Sequence, residues 1–82
     1  MVYVDPIFDY GIKGNWCHMW ADTEKELDEM ALKIGLNPNW KQKKNRKFIH
    51  FDLRQSKRIL AIQNGAFSKS LREWIKEGGL NK

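Results

Sequence analysis

A helix with one apolar side, over residues 23–35, constrains the fold of this chain more than any other feature. Thr23 and Glu26 have the spacing of a capping box, in which two side chains satisfy free backbone N–H groups at a helix start. Apolar residues then recur at helical spacing, and Gly35 follows them as a suitable left-handed cap. These apolar residues are Leu27, Met30, Ala31 and Ile34. Because such a stripe is stable only when a second layer covers it, the chain needs another element beside this helix.

Three short β-prone runs predict the strands of that second layer. They are Val2–Val4, residues 16–20 and residues 48–53, the last with clear alternation of side chains. Residues 5–15 contain a proline, two glycines and an asparagine, and we expect a loop there.

A second helix is predicted after the third strand. Asp52 and Gln55 have the spacing of a second capping box, so this helix should begin near Asp52 or Ser56. Gly65 should end it. Residues 66–67 then suit a short edge strand, and the capping spacing recurs in residues 70–73, which predicts a third helix closed by the glycine pair 78–79.

These elements predict an α+β fold, with a small three- to four-stranded sheet and two or three helices packed on one face. A chain of 82 residues with 41% hydrophobic content can form one compact core but not two. We therefore expect a single domain over residues 1–82, with a basic connector loop at 36–47 and a C-terminal helix and tail at 68–82.

Strand alternation separates the predicted sheet into two chemically different faces. One face would be apolar and would form the core under the helices, with Val2, Val4, Cys17, Met19, Ile49, Phe51 and Leu53. The other would be aromatic and polar, with Tyr3, Asp5, Trp16, His18, Trp20, Phe48, His50 and Asp52.

Three interpretations of the polar face remain open. In the first, imidazoles and carboxylates bind a divalent metal such as Zn, Mn or Fe, although their spacing matches no specific ligand motif. In the second, the aromatic side chains stack nucleic-acid bases while nearby lysines hold phosphate. In the third, these residues only pack and satisfy the backbone. The candidate metal or polar cluster is Asp5, His18, Asp22, His50 and Asp52.

Positive charge is concentrated in the second half of the chain. Residues 1–40 hold three lysines and seven acidic residues, whereas residues 41–82 hold twelve basic and three acidic residues, so the net charges are −4 and +9. A localised excess favours an anionic partner, with a solvated surface as the alternative. The candidate contacts to a nucleic-acid backbone are Lys41, Lys43, Lys44 and Arg46 in the connector.

The predicted start of the second helix carries an unusual set of cations. Arg54, Lys57 and Arg58 lie in or beside its first turn, where the helix dipole disfavours positive charge. A bound anion would resolve this conflict, because helix N–H groups and basic side chains together bind phosphate. The candidate phosphate ligands are Lys47, His50, Arg54, Lys57 and Arg58.

Other classes of protein have little support in the sequence. The N-terminus has no signal-peptide pattern, and no apolar run is long enough to span a membrane. Cys17 is the single cysteine and lies within a predicted strand, which fits a structural thiol in a reducing cytoplasm. The serines at helix starts are explained by capping, and no glycine-rich phosphate loop is present. We therefore assign no catalytic residue from sequence.

Several separated blocks of the chain resemble a family of short phage and bacterial proteins, the domain of unknown function family DUF4031. The blocks are VYVD at 2–5, WCHMWADTEKEL at 16–27, HFD at 50–52 and KRxLAIxxGA at 57–66. The resemblance covers residues 2 to about 67 and carries no activity. The resemblance implies that the family pattern emphasises seven polar positions, which here are Asp5, His18, Asp22, His50, Asp52, Lys57 and Arg58. The chain departs from the family pattern in the loop 11–14, the basic run 41–47 and the helix after Ser70.

The sequence favours a small non-enzymatic binding protein for a phosphate-bearing ligand, nucleic acid or nucleotide, with a phage accessory role. One alternative is a metal-dependent phosphoesterase or nuclease that uses the Asp/His cluster, and another is a phage protein that inhibits a host protein through its tryptophans. We expect no cofactor, with a divalent metal as the alternative, no membrane partner, a cytoplasmic location and a monomer or small homo-oligomer.

Overall fold

The fold was analysed in a computed structural model, which describes residues 1–9, 14–43 and 48–79. These residues form five strands and three α-helices, and a 3-10 helix at Pro38–Trp40 follows the first α-helix. In chain order the elements are β1 (Val2–Val4), β2 (Phe8–Asp9), β3 (Asn15–Ala21), α1 (Glu24–Ile34), β4 (Phe51–Leu53), α2 (Gln55–Gln63), β5 (Phe67–Ser68) and α3 (Leu71–Lys76). The expected α+β class is confirmed.

Strand β3 lies at the centre of a mixed sheet. It pairs antiparallel with β1, in the register that places Tyr3 opposite Trp20, and with β4, in the register that places His18 opposite Asp52. Strand β2 pairs antiparallel with the first residues of β3, and the Asp5 N–H donates to the His18 carbonyl between β1 and β2. Strand β5 adds to β1 in parallel. The longest strand therefore contacts three others and fixes their positions.

The predicted apolar face is the main core. The valines of β1, the alternate residues of β3 and β4, and the apolar stripe of α1 pack together there, with one alanine from α2. The members from the strands are Val2, Val4, Cys17, Met19, Phe51 and Leu53; those from the helices are Leu27, Met30, Ala31, Ile34 and Ala61. Ile49 is only partly buried against this cluster. Helices α1 and α2 therefore cover one face of the sheet, as expected.

The opposite face carries a second cluster, which is aromatic. Tyr3, Trp20 and Trp74 are buried together, and the ring centroids of Trp20 and Trp74 are 5.7 Å apart. Because Trp74 belongs to α3, this short helix lies across the sheet from α1 and α2. Phe48 and Leu71 pack against the edge of the cluster.

The predicted helix boundaries are mostly confirmed. The Thr23 hydroxyl accepts a hydrogen bond from the Glu26 N–H at 3.2 Å, Gly35 caps α1 with φ +77°, and Ser70 caps α3. The predicted capping box at Asp52 is wrong, since Asp52 lies within β4. Arg54 occupies the N-cap position of α2, with no side-chain cap among the described residues.

The strand predictions were correct in position but not in extent. The expected loop 5–15 contains β2, and the expected strand 48–53 is regular only over Phe51–Leu53, with His50 in an isolated bridge to Gln42. The edge strand expected at 66–67 is shifted by one residue to Phe67–Ser68. Pairing partners distant in sequence decide these limits, and the local pattern does not contain them. In the described part of the chain, no helix combines the length and apolar character needed to cross a bilayer.

Cys17 is expected to be chemically inert in the native protein. Its side chain is 1% exposed, and burial raises the pKa of the thiol to about 12. Since only the thiolate reacts, iodoacetamide at pH 8 should label the native protein at least about 100-fold more slowly than the protein unfolded in guanidinium, as followed by mass spectrometry. Equal labelling rates would contradict the packing of β3.

Candidate metal centre

Three side chains on the polar face meet in a group that can hold a metal ion. They are His18 from β3, Asp52 from β4 and His50, two residues before Asp52. One ring nitrogen from each histidine and one carboxylate oxygen from Asp52 all lie within 4.8 Å of one another. The two histidines are half-buried, with side chains 26% and 19% exposed, while Asp52 is 44% exposed.

The strand register explains why these residues meet. In an antiparallel pair, residues directly opposite each other point to the same face, and His18 is opposite Asp52. Residues two apart on one strand also share a face, so His50 is adjacent to Asp52. Alternation in the sequence was therefore sufficient to place all three on one face, but only the register brings His18 beside Asp52.

A buried carboxylate orients the His18 ring. Asp5 accepts a hydrogen bond from the His18 backbone N–H at 2.6 Å, and its second oxygen lies 2.8 Å from His18 Nδ1. Asp5 is only 2% exposed, so this contact is shielded from water. The hydrogen bond to Asp5 is the main cause of a raised pKa at His18. The Asp5 contact favours a proton on Nδ1, which leaves Nε2 as the nitrogen available to a ligand.

The second histidine is oriented in a similar way by the backbone. His50 Nδ1 lies 3.1 Å from the carbonyl oxygen of Phe48, and its ring stacks on the Phe48 ring with centroids 4.5 Å apart. Nε2 of the same ring is 3.5 Å from an Asp52 carboxylate oxygen. The His18 and His50 rings pack edge to face, with their planes at 79° and their centroids 5.2 Å apart.

Asp22, the remaining member of the predicted cluster, lies in a different setting. Its carboxylate accepts hydrogen bonds from the Tyr3 hydroxyl at 3.0 Å and from Trp74 Nε1 at 3.3 Å. Burial and the bond to Asp22 raise the pKa of Tyr3 to about 12. Asp22 therefore satisfies the polar groups of the aromatic cluster and is not one of the three residues that meet at the candidate metal centre.

The cations at the start of α2 do not converge. Lys57 Nζ donates to the Ile34 carbonyl at the end of α1, at 2.6 Å. Arg58 Nε donates to the Asp5 carbonyl at 2.9 Å, and another nitrogen of its guanidinium donates to the Ser68 hydroxyl. Arg54 instead lies over the Trp16 ring. The electrostatic conflict at this helix start is relieved by separate partners within the protein. Lys47 lies outside the described residues.

One lysine of the basic connector forms ion pairs with acidic residues of α1. The Lys41 side chain is 9% exposed, and it forms ion pairs with Glu24 and, at 2.8 Å, with Asp28 on α1. Lys43 is exposed. Lys44 and Arg46 lie outside the described residues. Of the proposed contacts to nucleic acid, Lys41 is thus bound to acidic side chains of the first half of the chain.

Two contacts near the candidate metal centre were not predicted from the sequence. Sequence reasoning did not connect Arg58 with Asp5, because these residues are far apart in sequence and meet only when α2 packs on the sheet. It also missed the contact of Arg54 with Trp16, although the alternation of β3 and β4 contained the signal. Arg54 follows Asp52 by two residues, and Trp16 precedes His18 by two.

The chain belongs to the family described as protein of unknown function DUF4031, whose model matches residues 2–78. The match extends beyond the resemblance seen in the sequence and includes the helix after Ser70, which was expected to depart from the family pattern. No curated protein and no solved structure matches the chain.

Replacing Asp5 with Asn should lower the pKa of His18 and destabilise the protein. Asn has no charge to stabilise the imidazolium, and its NH2 group replaces one of the two carboxylate oxygens that contact His18. We expect the free energy of unfolding to fall by about 1.5–3 kcal/mol, the range for hydrogen bonds to charged groups, in urea denaturation. NMR titration of the His18 ring measures the pKa.

The matched control is Asp52→Asn. Asp52 also raises the His18 pKa, but its effect is the smallest of the causes, so this variant should shift the pKa less than Asp5→Asn does. A larger shift in Asp52→Asn would contradict the assigned pairing.

Proposed function

We propose that this DUF4031 protein holds one divalent transition-metal ion on His18, His50 and Asp52, and that the metal binds a phosphate-bearing ligand. The observation that carries the proposal is the meeting of three donor atoms within 4.8 Å, on two histidine rings whose Nδ1 atoms already have partners. The remaining ring nitrogens are Nε2 atoms, which are common metal ligands in proteins.

The dimensions of the group suit a metal with a modest adjustment. In a tetrahedral zinc site with bonds of about 2.0–2.1 Å, neighbouring ligand atoms are about 3.3 Å apart. Since Asp52 is 44% exposed, its carboxylate can rotate toward the two rings without disturbing the core. Two imidazoles and one carboxylate suit Zn, Mn or Fe.

Asp5 gives the proposal its second support. Metal-binding histidines usually donate their other ring N–H to a carboxylate or a carbonyl, which fixes the ring and increases its basicity. His18 has this arrangement with Asp5, and His50 has it with the Phe48 carbonyl. Both donor rings are thus oriented before any ion binds.

An open coordination position on the metal, together with the positive charge of the chain, supports a phosphate-bearing ligand. Three protein ligands leave at least one position for water or for an anionic oxygen, whereas a purely structural zinc site uses four protein ligands. The net charge of +5 favours anionic ligands such as nucleotides or nucleic acid. A reducing cytoplasm is the compartment we propose, since Cys17 is a free, buried thiol.

Hydrolysis of a phosphate ester is a second candidate function, supported by the same open position. A metal held by His18, His50 and Asp52 would supply Lewis-acid activation of a water molecule at neutral pH. The water oxygen would bond to phosphorus as the ester P–O bond breaks, and the proton lost by the water would pass to the departing oxygen, so the products would be a phosphate and an alcohol. The alternative of a host-protein inhibitor has less support, because Trp20 and Trp74 are buried in the aromatic cluster and, of the described tryptophans, Trp40 is the one that is largely exposed, at 57%.

Metal binding should be stoichiometric and should depend on the three ligands. Calorimetric titration of Zn²⁺ or Mn²⁺ into chelator-treated protein should give one site per chain, and His50→Ala or Asp52→Asn should weaken it by about 100-fold, or by roughly 2.7 kcal/mol. Asp22→Asn is the matched control and should keep the affinity. Absence of binding to the native chain, or equal losses in all three variants, would overturn the proposal.

Hydrolytic activity can be tested with the same proteins. If the second candidate is correct, the metal-loaded protein should release nitrophenol from p-nitrophenyl phosphate or its bis ester, and Asp52→Asn should lower the rate at least about tenfold. A metal-loaded protein that binds phosphate without releasing nitrophenol would rule out hydrolysis of these esters and leave the binding function.

A further inference from the structure

Arg54 lies over Trp16, and Trp16 shares the polar face of β3 with His18 of the candidate metal centre, two residues away. In the register of β3 and β4, His18 is opposite Asp52 and Cys17 is opposite Leu53. Continued by one residue beyond β4, this register would place Trp16 opposite Arg54, and Arg54 Cζ is 4.2 Å from the centroid of the Trp16 ring. Successive side chains on one face of a strand are separated by about 7 Å.

Trp16 and Gly14 both lie next to the guanidinium of Arg54. Its Cζ lies over the Trp16 ring, a favourable cation–π arrangement. Gly14, with φ +85°, lies so close that a Cβ placed there would be 2.6 Å from Arg54 Nη1. A glycine at this position therefore leaves room for the guanidinium and also provides the positive φ that the backbone adopts.

The hydrogen-bond donors of Arg54 remain free within the described part of the chain. Lys57 and Arg58, its neighbours on α2, donate to Ile34, Asp5 and Ser68. Among the described residues the Arg54 side chain forms no hydrogen bond, and the Trp16 ring beneath it offers no oxygen acceptor for its N–H groups. Of the three cations at this helix start, Arg54 is thus the one available to a ligand.

We propose that Arg54 binds the phosphoryl group of the ligand while the metal ion binds a second oxygen of the same group. A metal–oxygen bond of about 2.1 Å, a charge-assisted hydrogen bond of about 2.8 Å and the width of one phosphate together span about 7 Å, which is the spacing of successive side chains on one face of a strand. This inference rests on the proposed metal centre. The proposed ligand therefore carries a phosphoryl group with at least two unesterified oxygens on one phosphorus.

The experiment has two stages, so that failure of the metal centre and failure of the Arg54 site are distinguished. Zn²⁺ or Mn²⁺ is first titrated into each variant without phosphate, and inorganic phosphate is then titrated into the metal-loaded protein. Arg54→Gln should keep metal affinity within about twofold and lose at least about tenfold in phosphate affinity, the loss expected for one charge-assisted bond. Gly14→Ala should also weaken phosphate binding, because its Cβ displaces the guanidinium without removing a charge.

Arg72→Gln is the matched control, since it removes the same charge from an exposed position on α3. Equal phosphate affinities of Arg54→Gln and Arg72→Gln would overturn the inference while leaving the metal centre intact. A metal-loaded native protein that binds no phosphate would overturn it as well, and failure of the metal titration would overturn both proposals. A comparison of phosphate, a nucleoside monophosphate and a short single-stranded DNA then identifies the source of the phosphoryl group.

Discussion

The burial of the Asp5 carboxylate is the constraint on which the rest of the structure depends. A charge removed from water costs several kcal/mol unless hydrogen bonds replace its hydration. Here the backbone N–H and the ring of His18 supply those bonds, and the Asp5 carbonyl accepts from Arg58. Because Arg58 also reaches Ser68, one buried residue connects β3 with α2 and β5. Asp5 therefore links these elements and also orients the ring of His18, the candidate metal ligand.

Because side chains alternate along each strand, one face of the sheet stabilises the fold and the other carries the candidate ligands. Cys17 and Met19 face the helices, whereas His18 between them faces the polar side. Phe51 and Leu53 flank Asp52 in the same way on β4. Each strand thus supplies a core residue and a candidate ligand from adjacent positions, which is how a chain of 82 residues combines a core and a site.

The fold and the polar face were predictable wherever the signal is local. Thr23, Gly35 and Ser70 lie where their capping patterns placed them, and alternation assigned His18, His50 and Asp52 to one face. Predictions that needed tertiary contacts were less successful. The spacing of Asp52 and Gln55 resembled a capping box, but pairing with His18 keeps Asp52 in a strand. Sequence alone likewise could not show that Lys57 would bind the end of α1, since that contact exists only after the helices pack.

The alternation along β3 and β4 also determines how such a protein can change through evolution. Substitution at the exposed outward position 52 alters the chemistry and leaves the packing beneath it largely intact. Insertion or deletion of one residue within either strand would instead exchange the two faces, placing imidazole and carboxylate in the core and sulfur and aliphatic groups outside. The two strands should therefore tolerate almost no change of length, whereas a single substitution at a solvent-accessible outward position such as 52 changes the site without exchanging the two faces.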